Sequence, residues 1–491
     1  MNRPIRTLAV GCLLLFAALL INANYVQVIK ANDLNDAAAN KRARDAECSR
    51  ERGPILVSGE PVARSVPSND SLQFQRRYTN WPMYANLTGY FSCIYGTTGI
   101  ENTENSLLSG SDERLFVNRM IDLVGNDQPK GGSVTLTIDP KAQQAALSGL
   151  QDLQAQYGPT KGAVVALDPT SGAILAMVTQ PSYNPNLIAS HDPTLAKQAF
   201  ESVVNDPDDR GLNRAAQLTY PPGSTFKLVT ASAALSNGYT PESTVKGGTV
   251  FDLPGSSDTI KNENGSDCGG SEISLTTALE VSCNVAFADL GVKLGAETLQ
   301  EQAEKYGFND DILDELPSAE SVFPDANDLD EAQTALTAIG QYDDRATPLQ
   351  MAMVGAGIAN GGAVMKPYIV QNVRAPNDLQ TLDEASPEVL HQAISGSVAD
   401  QLTQMMVDVV DNGTGTNARI PNVSVAGKTG TANSAEDKAP YAWMVTFAPA
   451  DDPQVAVAVL VEQTGVGRDE ISGNGLAGPI ARSVMEAVIN E

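Results

Sequence analysis

The chain has 491 residues, with 32 Lys and Arg against 59 Asp and Glu, a formal net charge of −27. That length allows a large core and more than one domain. The acidic balance argues against a nucleic-acid partner, since neutralising phosphates requires a Lys/Arg surface, and is otherwise the ordinary signature of a soluble surface.

Arg3 and Arg6 precede an uncharged apolar run from Leu8 to Ile21. Read through to Ile29, the run reaches roughly the 20 residues a membrane span needs, with positive charge on the cytoplasmic side. Residues 1–29 are therefore expected to be a transmembrane anchor that leaves the bulk of the protein exported; a cleaved signal peptide, with a poor small-residue site at Asn22-Ala23-Asn24, is the alternative. Export gives the cysteines meaning. Cys12 lies in the apolar run, which leaves Cys48, Cys93, Cys268 and Cys283 as an even set in an oxidising compartment. Neighbourhood pairs Cys48 with Cys93 and Cys268 with Cys283, although four cysteines allow three connectivities. There is no C-x-x-C pair, and the two histidines, His191 and His391, are far apart, so no metal site is expected.

Residues 30–130 are mixed and polar, with strand-like snatches such as Gly53-Pro54-Ile55-Leu56-Val57, and read as a small α+β pedestal without a catalytic constellation. The Gly/Pro-rich stretch 125–132 is the expected domain boundary. Beyond it, 142–157 has helical periodicity. The segments 162–167 and 173–178 flank the turn Asp168-Pro169-Thr170-Ser171-Gly172 and predict a β-hairpin. Both arms are almost continuously apolar, so helices should cover their sheet. From about 210 to 410 the pattern is mainly helical, with a helix after Ser224, one over 275–290, and one opened by Thr347-Pro348 and closed by Asn360-Gly361-Gly362. Strand-like segments return at 423–429, 441–447 and 455–461, and 476–490 suits a closing helix. The predicted fold is α+β: a five-stranded antiparallel sheet built from both ends of a domain spanning 131–491, layered between helices, with an all-helical lobe inserted.

One stretch stands out in that domain, Tyr220-Pro221-Pro222-Gly223-Ser224-Thr225-Phe226-Lys227. Proline fixes φ and glycine permits unusual φ, so a sharp turn can present Ser224 at the start of a buried helix carrying Phe226, Val229 and Ala233. Ser224 and Lys227 lie three apart on one face, where a desolvated lysine can be a neutral amine and take the serine proton. The four-residue pattern alone is common, and Ser243-Thr244-Val245-Lys246 matches it too. Ser282-Cys283-Asn284 interrupts an apolar helical stretch with polar groups that need partners, yet S-x-N also recurs at Ser182 and Ser472. Lys428-Thr429-Gly430-Thr431 ends a strand-like run; a glycine there lets a substrate backbone approach, and Thr hydroxyls beside a Lys cation suit a carboxylate.

In this order, S-x-x-K, S-x-N and K-T-G resemble the three-part signature of the penicillin-binding protein and serine β-lactamase superfamily. The resemblance extends over nearly the whole chain. Arg52-Gly53-Pro54-Ile55 and Gly96-Thr97-Thr98-Gly99-Ile100-Glu101 are similar to pedestal elements of class B penicillin-binding proteins, as are Thr137-Ile138-Asp139, Gly340 with Thr347-Pro348-Leu349-Gln350, and Ala442-Trp443 with Phe447-Ala448-Pro449 to elements of their second domain. The likeness is greatest to the short actinobacterial members with a small pedestal and no C-terminal repeat.

The resemblance implies a peptidoglycan D,D-transpeptidase without cofactor, anchored in the cell membrane with its catalytic domain on the outer face. Ser224 would be the acylated nucleophile and Lys227 its base. Ser282 and Lys428 would complete the proton relay, and Asn284, Thr429, Gly430 and Thr431 would bind the peptide and its carboxylate. The backbone N–H groups of Ser224 and Thr431 would form the oxyanion hole. A bridge between Cys268 and Cys283 would pin the S-x-N loop. The implied partners are stem peptides, the lipid-linked precursor, β-lactams and a SEDS-type membrane glycosyltransferase. Alternatives are a D,D-carboxypeptidase, a serine β-lactamase (no E-x-x-L-N element is present to position water) and a scaffold that activates a glycan polymerase.

Overall fold

Alternating apolar segments from the two ends of the second domain set its architecture, because each strand must bury both of its faces. The computed structural model describes residues 3–26, 30, 47–116, 130–376, 380–432 and 439–490. The apolar run forms helix α1 (Arg3–Asn24), 22 residues with a mean hydropathy of 2.2 and no face buried in the rest of the protein, long and apolar enough to cross a membrane. Its expected continuation through 27–29, and the 125–129 part of the Gly/Pro-rich break, lie outside the described residues.

The pedestal opens with the antiparallel strands β1 (Ile55–Val57), β2 (Glu60–Pro67) and β3 (Phe74–Tyr78). Behind them, the Glu101 carboxylate is fully buried and is clamped by Arg52 Nε at 2.5 Å and Arg76 Nε at 2.6 Å, with Tyr78 OH donating at 3.0 Å. Burial raises the pKa of Glu101, but the two guanidinium groups outweigh it and hold the carboxyl below its ordinary range. This triad is the physical content of the Arg52 and Glu101 elements noted in the sequence. Cys48 and Cys93 are bridged, with Cα atoms 5.9 Å apart.

Strand β4 (Ser133–Leu136) runs parallel to β1, with Ile55 opposite Val134. Helix α2 (Pro140–Tyr157) follows, N-capped by Asp139, and then the hairpin β5 (Lys161–Leu167) and β6 (Ile174–Gln180). The turn Gly223–Thr225 leads into α3 (Lys227–Ser236). The helix expected over 275–290 is two helices, α4 (Leu275–Glu280) and α5 (Asn284–Leu294). They are separated by Ser282 in the left-handed region at φ 60° and by Cys283, bridged to Cys268 with Cα atoms 5.8 Å apart. Around these helices the inserted lobe also carries short ribbons, Thr244–Lys246 paired with Glu272–Ser274 and Val250–Asp252 paired with Thr259–Lys261.

Helix α6 (Pro348–Ala359) has the predicted ends: Thr347 caps the N–H of Gln350, Pro348 occupies the first turn, and the chain leaves through Gly361 and Gly362. Strands β7 (Val370–Arg374) and β8 (Thr381–Glu384) then return to the pedestal, giving a six-stranded sheet in the order β8-β7-β4-β1-β2-β3. Strands from both sides of residue 130 thus share one sheet. After α7 (Gly396–Asp411) come β9 (Ala426–Ala432), β10 (Tyr441–Ala448), β11 (Val455–Gln463) and α8 (Gly478–Ile489). The five-stranded sheet is antiparallel throughout, in the order β9-β10-β11-β5-β6. Its alternation is strict: Ala163, Val165 and Leu167 join the core built with α6, while Val164 and Ala166 join the core built with α2 and α8.

Candidate active site

The site is assembled at β9, the edge strand of the five-stranded sheet. The turn bearing Ser224 abuts it. A Cβ on Gly223 would lie 2.8 Å from Ala432 Cβ, and one on Gly430 would lie 3.0 Å from Thr225 Cγ2 and 3.3 Å from the Pro222 carbonyl, so K-T-G needs its glycine for this close approach. Gly223, at φ 53°, donates its N–H to Gly340 O at 2.9 Å, and a Cβ on Gly340 would sit 2.2 Å from the Gly223 carbonyl. Gly340, singled out in the sequence only by family likeness, is therefore the back wall of the turn. Trp443 Nε1 donates to Pro221 O at 3.0 Å from β10.

Ser224 is half-buried at the head of α3, and Lys227 and Lys428 are fully buried. Lys227 Nζ lies 2.7 Å from Ser282 O, 2.7 Å from Asn284 Oδ1 and 3.2 Å from Ser282 Oγ. Lys428 Nζ reaches Ser282 Oγ at 2.8 Å and Thr429 O at 2.8 Å. The three motifs therefore meet as a Lys227–Ser282–Lys428 chain. Among the described residues the hydrogen bonds of Lys227 go to the S-x-N segment and none goes to Ser224.

Burial depresses both amines. It takes Lys227 well below the ordinary lysine value, helped by the adjacent Lys428 charge and opposed by the Glu263 carboxylate. Lys428 is pushed down to about 7 by burial, again opposed by Glu263. A neutral amine at neutral pH is the state a general base requires.

The break between α4 and α5 is what turns Ser282 and Asn284 towards the lysines. Asn284 Nδ2 donates to Lys261 O at 2.9 Å, and Asn262 Oδ1 accepts from Val285 N at 3.0 Å. With the Cys268–Cys283 bridge, these bonds stitch the 261–268 loop to the motif. On β9, Thr429 Oγ1 shares a hydrogen bond of 2.7 Å with Thr414 Oγ1. Thr414 escaped sequence reasoning; the Gly413-Thr414-Gly415-Thr416 stop after α7 was its only local sign.

The look-alike motifs separate cleanly. Thr244–Lys246 is a strand, with Lys246 over the Phe251 ring at 4.7 Å, so Ser243 and Lys246 are not stacked on one helical face. Asn184 caps a short helix, and Ser472 caps the N–H of Gly475. His191 and His391 pair on the surface with Asp70 at 2.5 Å and Asp310 at 2.8 Å.

Residues 162–486 match the family described as the penicillin binding protein transpeptidase domain, and residues 52–134 match the penicillin binding protein A dimerisation domain. The chain is 41% identical over 495 aligned residues to the peptidoglycan D,D-transpeptidase PbpA of Mycolicibacterium smegmatis, covering 100% of both. It is also 41% identical to the protein of the same name from Mycobacterium tuberculosis, covering 100% of this chain and 99% of that one. Among solved structures, the ceftriaxone acyl-enzyme of penicillin-binding protein A from M. tuberculosis superposes with a TM-score of 0.86 at 41% identity, covering 91% of this chain and 100% of the other. The penicillin G acyl-enzyme superposes with a TM-score of 0.84 at 41% identity, covering 90% of this chain and 100% of the other.

Proposed function

Since the chain belongs to the penicillin-binding protein transpeptidase family, we propose that its peptidoglycan D,D-transpeptidase reaction runs through Ser224 as the acylated nucleophile, with Lys227, Ser282 and Lys428 moving the proton. The observation that carries this reading is the hydrogen-bonded Lys227–Ser282–Lys428 chain, whose first lysine follows Ser224 by three residues at the head of α3.

In the acylation step Ser224 Oγ attacks the penultimate D-Ala carbonyl of a stem peptide, and neutral Lys227 takes the hydroxyl proton. The tetrahedral oxyanion lies between the backbone N–H groups of Ser224 and Thr431, each donor contributing about 3 kcal/mol to such stabilisation. Ser282 delivers a proton to the departing D-Ala amine and is resupplied from Lys428. Asn284 holds the peptide, and Thr429, Gly430 and Thr431 hold the terminal carboxylate. An amine of a neighbouring strand then attacks the ester, forming the cross-linking amide; its proton goes to the departing Ser224 Oγ, and the proton held by Lys227 returns through Ser282 to Lys428. A β-lactam enters by the same first step, but its leaving nitrogen stays tethered within the adduct.

Residues 1–29 serve as the membrane anchor, with Arg3 and Arg6 on the cytoplasmic side. Residues 30–130 are the pedestal and 131–491 the transpeptidase domain. The pedestal offers the docking face for a lipid-linked precursor polymerase of the SEDS type. The apolar α1 supports the anchor.

The test incubates purified ectodomain with fluorescent penicillin, maps the adduct by peptide mass, and follows D-amino-acid exchange on a lipid-linked substrate. A Ser224 adduct, lost together with exchange in Ser224→Ala, is the expected result. An adduct on any other residue overturns the assignment.

A further inference from the structure

Ser224 is the fifth residue of a turn that begins at Tyr220, and Tyr220 is tied to a part of the chain that no motif marks. Its hydroxyl donates to Glu462 Oε2 at 3.0 Å. The same oxygen accepts from Arg214 Nε at 2.8 Å. Arg214 is 1% exposed, and its other guanidinium arm donates to the Asp208 carbonyl. Asp208 is in turn paired with Lys161 Nζ, at 2.7 Å, at the start of β5. The Tyr220 ring packs edge-on against Tyr441 and Trp443, with centroids 5.4 and 6.4 Å away.

Glu462 lies near the end of β11, more than 240 positions away in the chain from both Tyr220 and Arg214. A buried guanidinium fixes the carboxylate, the carboxylate fixes the phenol, and the phenol holds the first residue of the Ser224 turn together with its backbone pair, Tyr220 N to Ala346 O at 2.9 Å and Ala346 N to Tyr220 O at 2.8 Å. The rest of the turn is held by neutral bonds, Trp443 Nε1 to Pro221 O and Gly223 N to Gly340 O. The link through Glu462 is the charge-assisted one, and such bonds are the stronger class.

We propose that Glu462 is a positioning residue for acylation: held by Arg214, it anchors the Tyr220 hydroxyl and so sets where Ser224 Oγ stands relative to the Lys227–Ser282 relay and the β9 edge. Nucleophilic attack is steep in geometry, and a displacement of about 1 Å can cost on the order of 100-fold in rate. The inference rests on Ser224 being the acylated residue.

Tyr220→Phe tests it with little disturbance, since it deletes one hydroxyl and keeps the ring packing. Glu462→Gln is the second variant; it keeps an acceptor oxygen for Tyr220 and loses the charge towards Arg214. Stopped-flow acylation by fluorescent penicillin separates the pre-acylation binding constant from the first-order acylation rate. Adduct mapping on each variant checks the acylated residue. The expected result is an acylation rate lowered about tenfold in Tyr220→Phe and by a smaller factor in Glu462→Gln, with unchanged binding constant in both and an unchanged melting temperature in Tyr220→Phe. In the double variant the loss should be no larger than in Tyr220→Phe alone, because both changes break the same link. Wild-type acylation rates in both variants, or a loss confined to the binding constant, overturn the positioning role while leaving Ser224 in place. An adduct that maps elsewhere overturns the nucleophile assignment instead.

Discussion

Ser282 Oγ lies within hydrogen-bonding distance of both buried amines, 2.8 Å from Lys428 Nζ and 3.2 Å from Lys227 Nζ. A hydroxyl both donates and accepts, so it can pass a proton from a protonated amine to a neutral one. Ser282→Ala removes that link and leaves the fold's packing intact. We expect acylation by penicillin to fall about 100-fold or more, within the range typical of general acid–base groups. Stopped-flow fluorescence measures it, and a rate within twofold of wild type would show that the proton does not travel through Ser282.

Proton occupancy of the lysines gives a second outcome. The acylation rate should rise with pH as Lys227, which burial holds well below the ordinary lysine range, loses its proton, and should fall again above about 7 as Lys428, the proton source for Ser282, becomes neutral. The Glu263 carboxylate raises both values, so Glu263→Gln should move both limbs to lower pH. For stability, the folded protein binds fewer protons at Lys428 than the unfolded chain between about 7 and 10.5. The contribution of this position to folding therefore rises with pH across that window. Denaturant melts of wild type and Lys428→Met at two pH values within the window should show wild type gaining on the variant at the higher pH; a constant difference would refute the depressed value.

The Cys268–Cys283 bridge closes a loop with a sequence separation of 15. A loop of that size is worth about 3 kcal/mol of folding stability. Cys268→Ala/Cys283→Ala should lose stability of this order in denaturant melts. It should also acylate several-fold more slowly, because Ser282 and Asn284 flank the bridge on the chain. Limited proteolysis should then cut within 248–268; a protected loop and wild-type acylation would assign the bridge no part in shaping the site.

Thr414 supports the carboxylate site from outside the three motifs, through its 2.7 Å bond to Thr429 Oγ1. Thr414→Val keeps the shape and removes the hydroxyl. Losing one such bond costs about 1 kcal/mol. We expect the pre-acylation binding of penicillin to weaken about fivefold with the first-order acylation rate unchanged. An effect on the rate alone would place Thr414 with the turn rather than with the carboxylate.

Much of this site was legible in one dimension because its chemistry is written in short motifs with local causes. Pro221-Pro222-Gly223 announced a turn, the continuously apolar arms of the β5–β6 hairpin announced a sheet covered by helices, and Thr347-Pro348 announced the start of α6. What could not be read depends on partners distant in the chain. The helix over 275–290 breaks because Cys283 is bonded to Cys268 and its neighbours are claimed by two lysines, and no propensity scale contains either fact. Glu462 and Arg214 carry no local pattern, since their roles exist only where β11 and the segment before Tyr220 come together. Gly340 is intelligible only once the Gly223 carbonyl is seen 2.2 Å from where its Cβ would be.

The strand β4 lies between β1 of the pedestal and β7 of the second domain, so the two parts of the molecule are joined by rows of backbone hydrogen bonds and not by a single flexible tether. A cut at residue 131 would therefore part β1 from β4, two strands that pair in the intact fold, and leave each half with an open edge where it now has a partner.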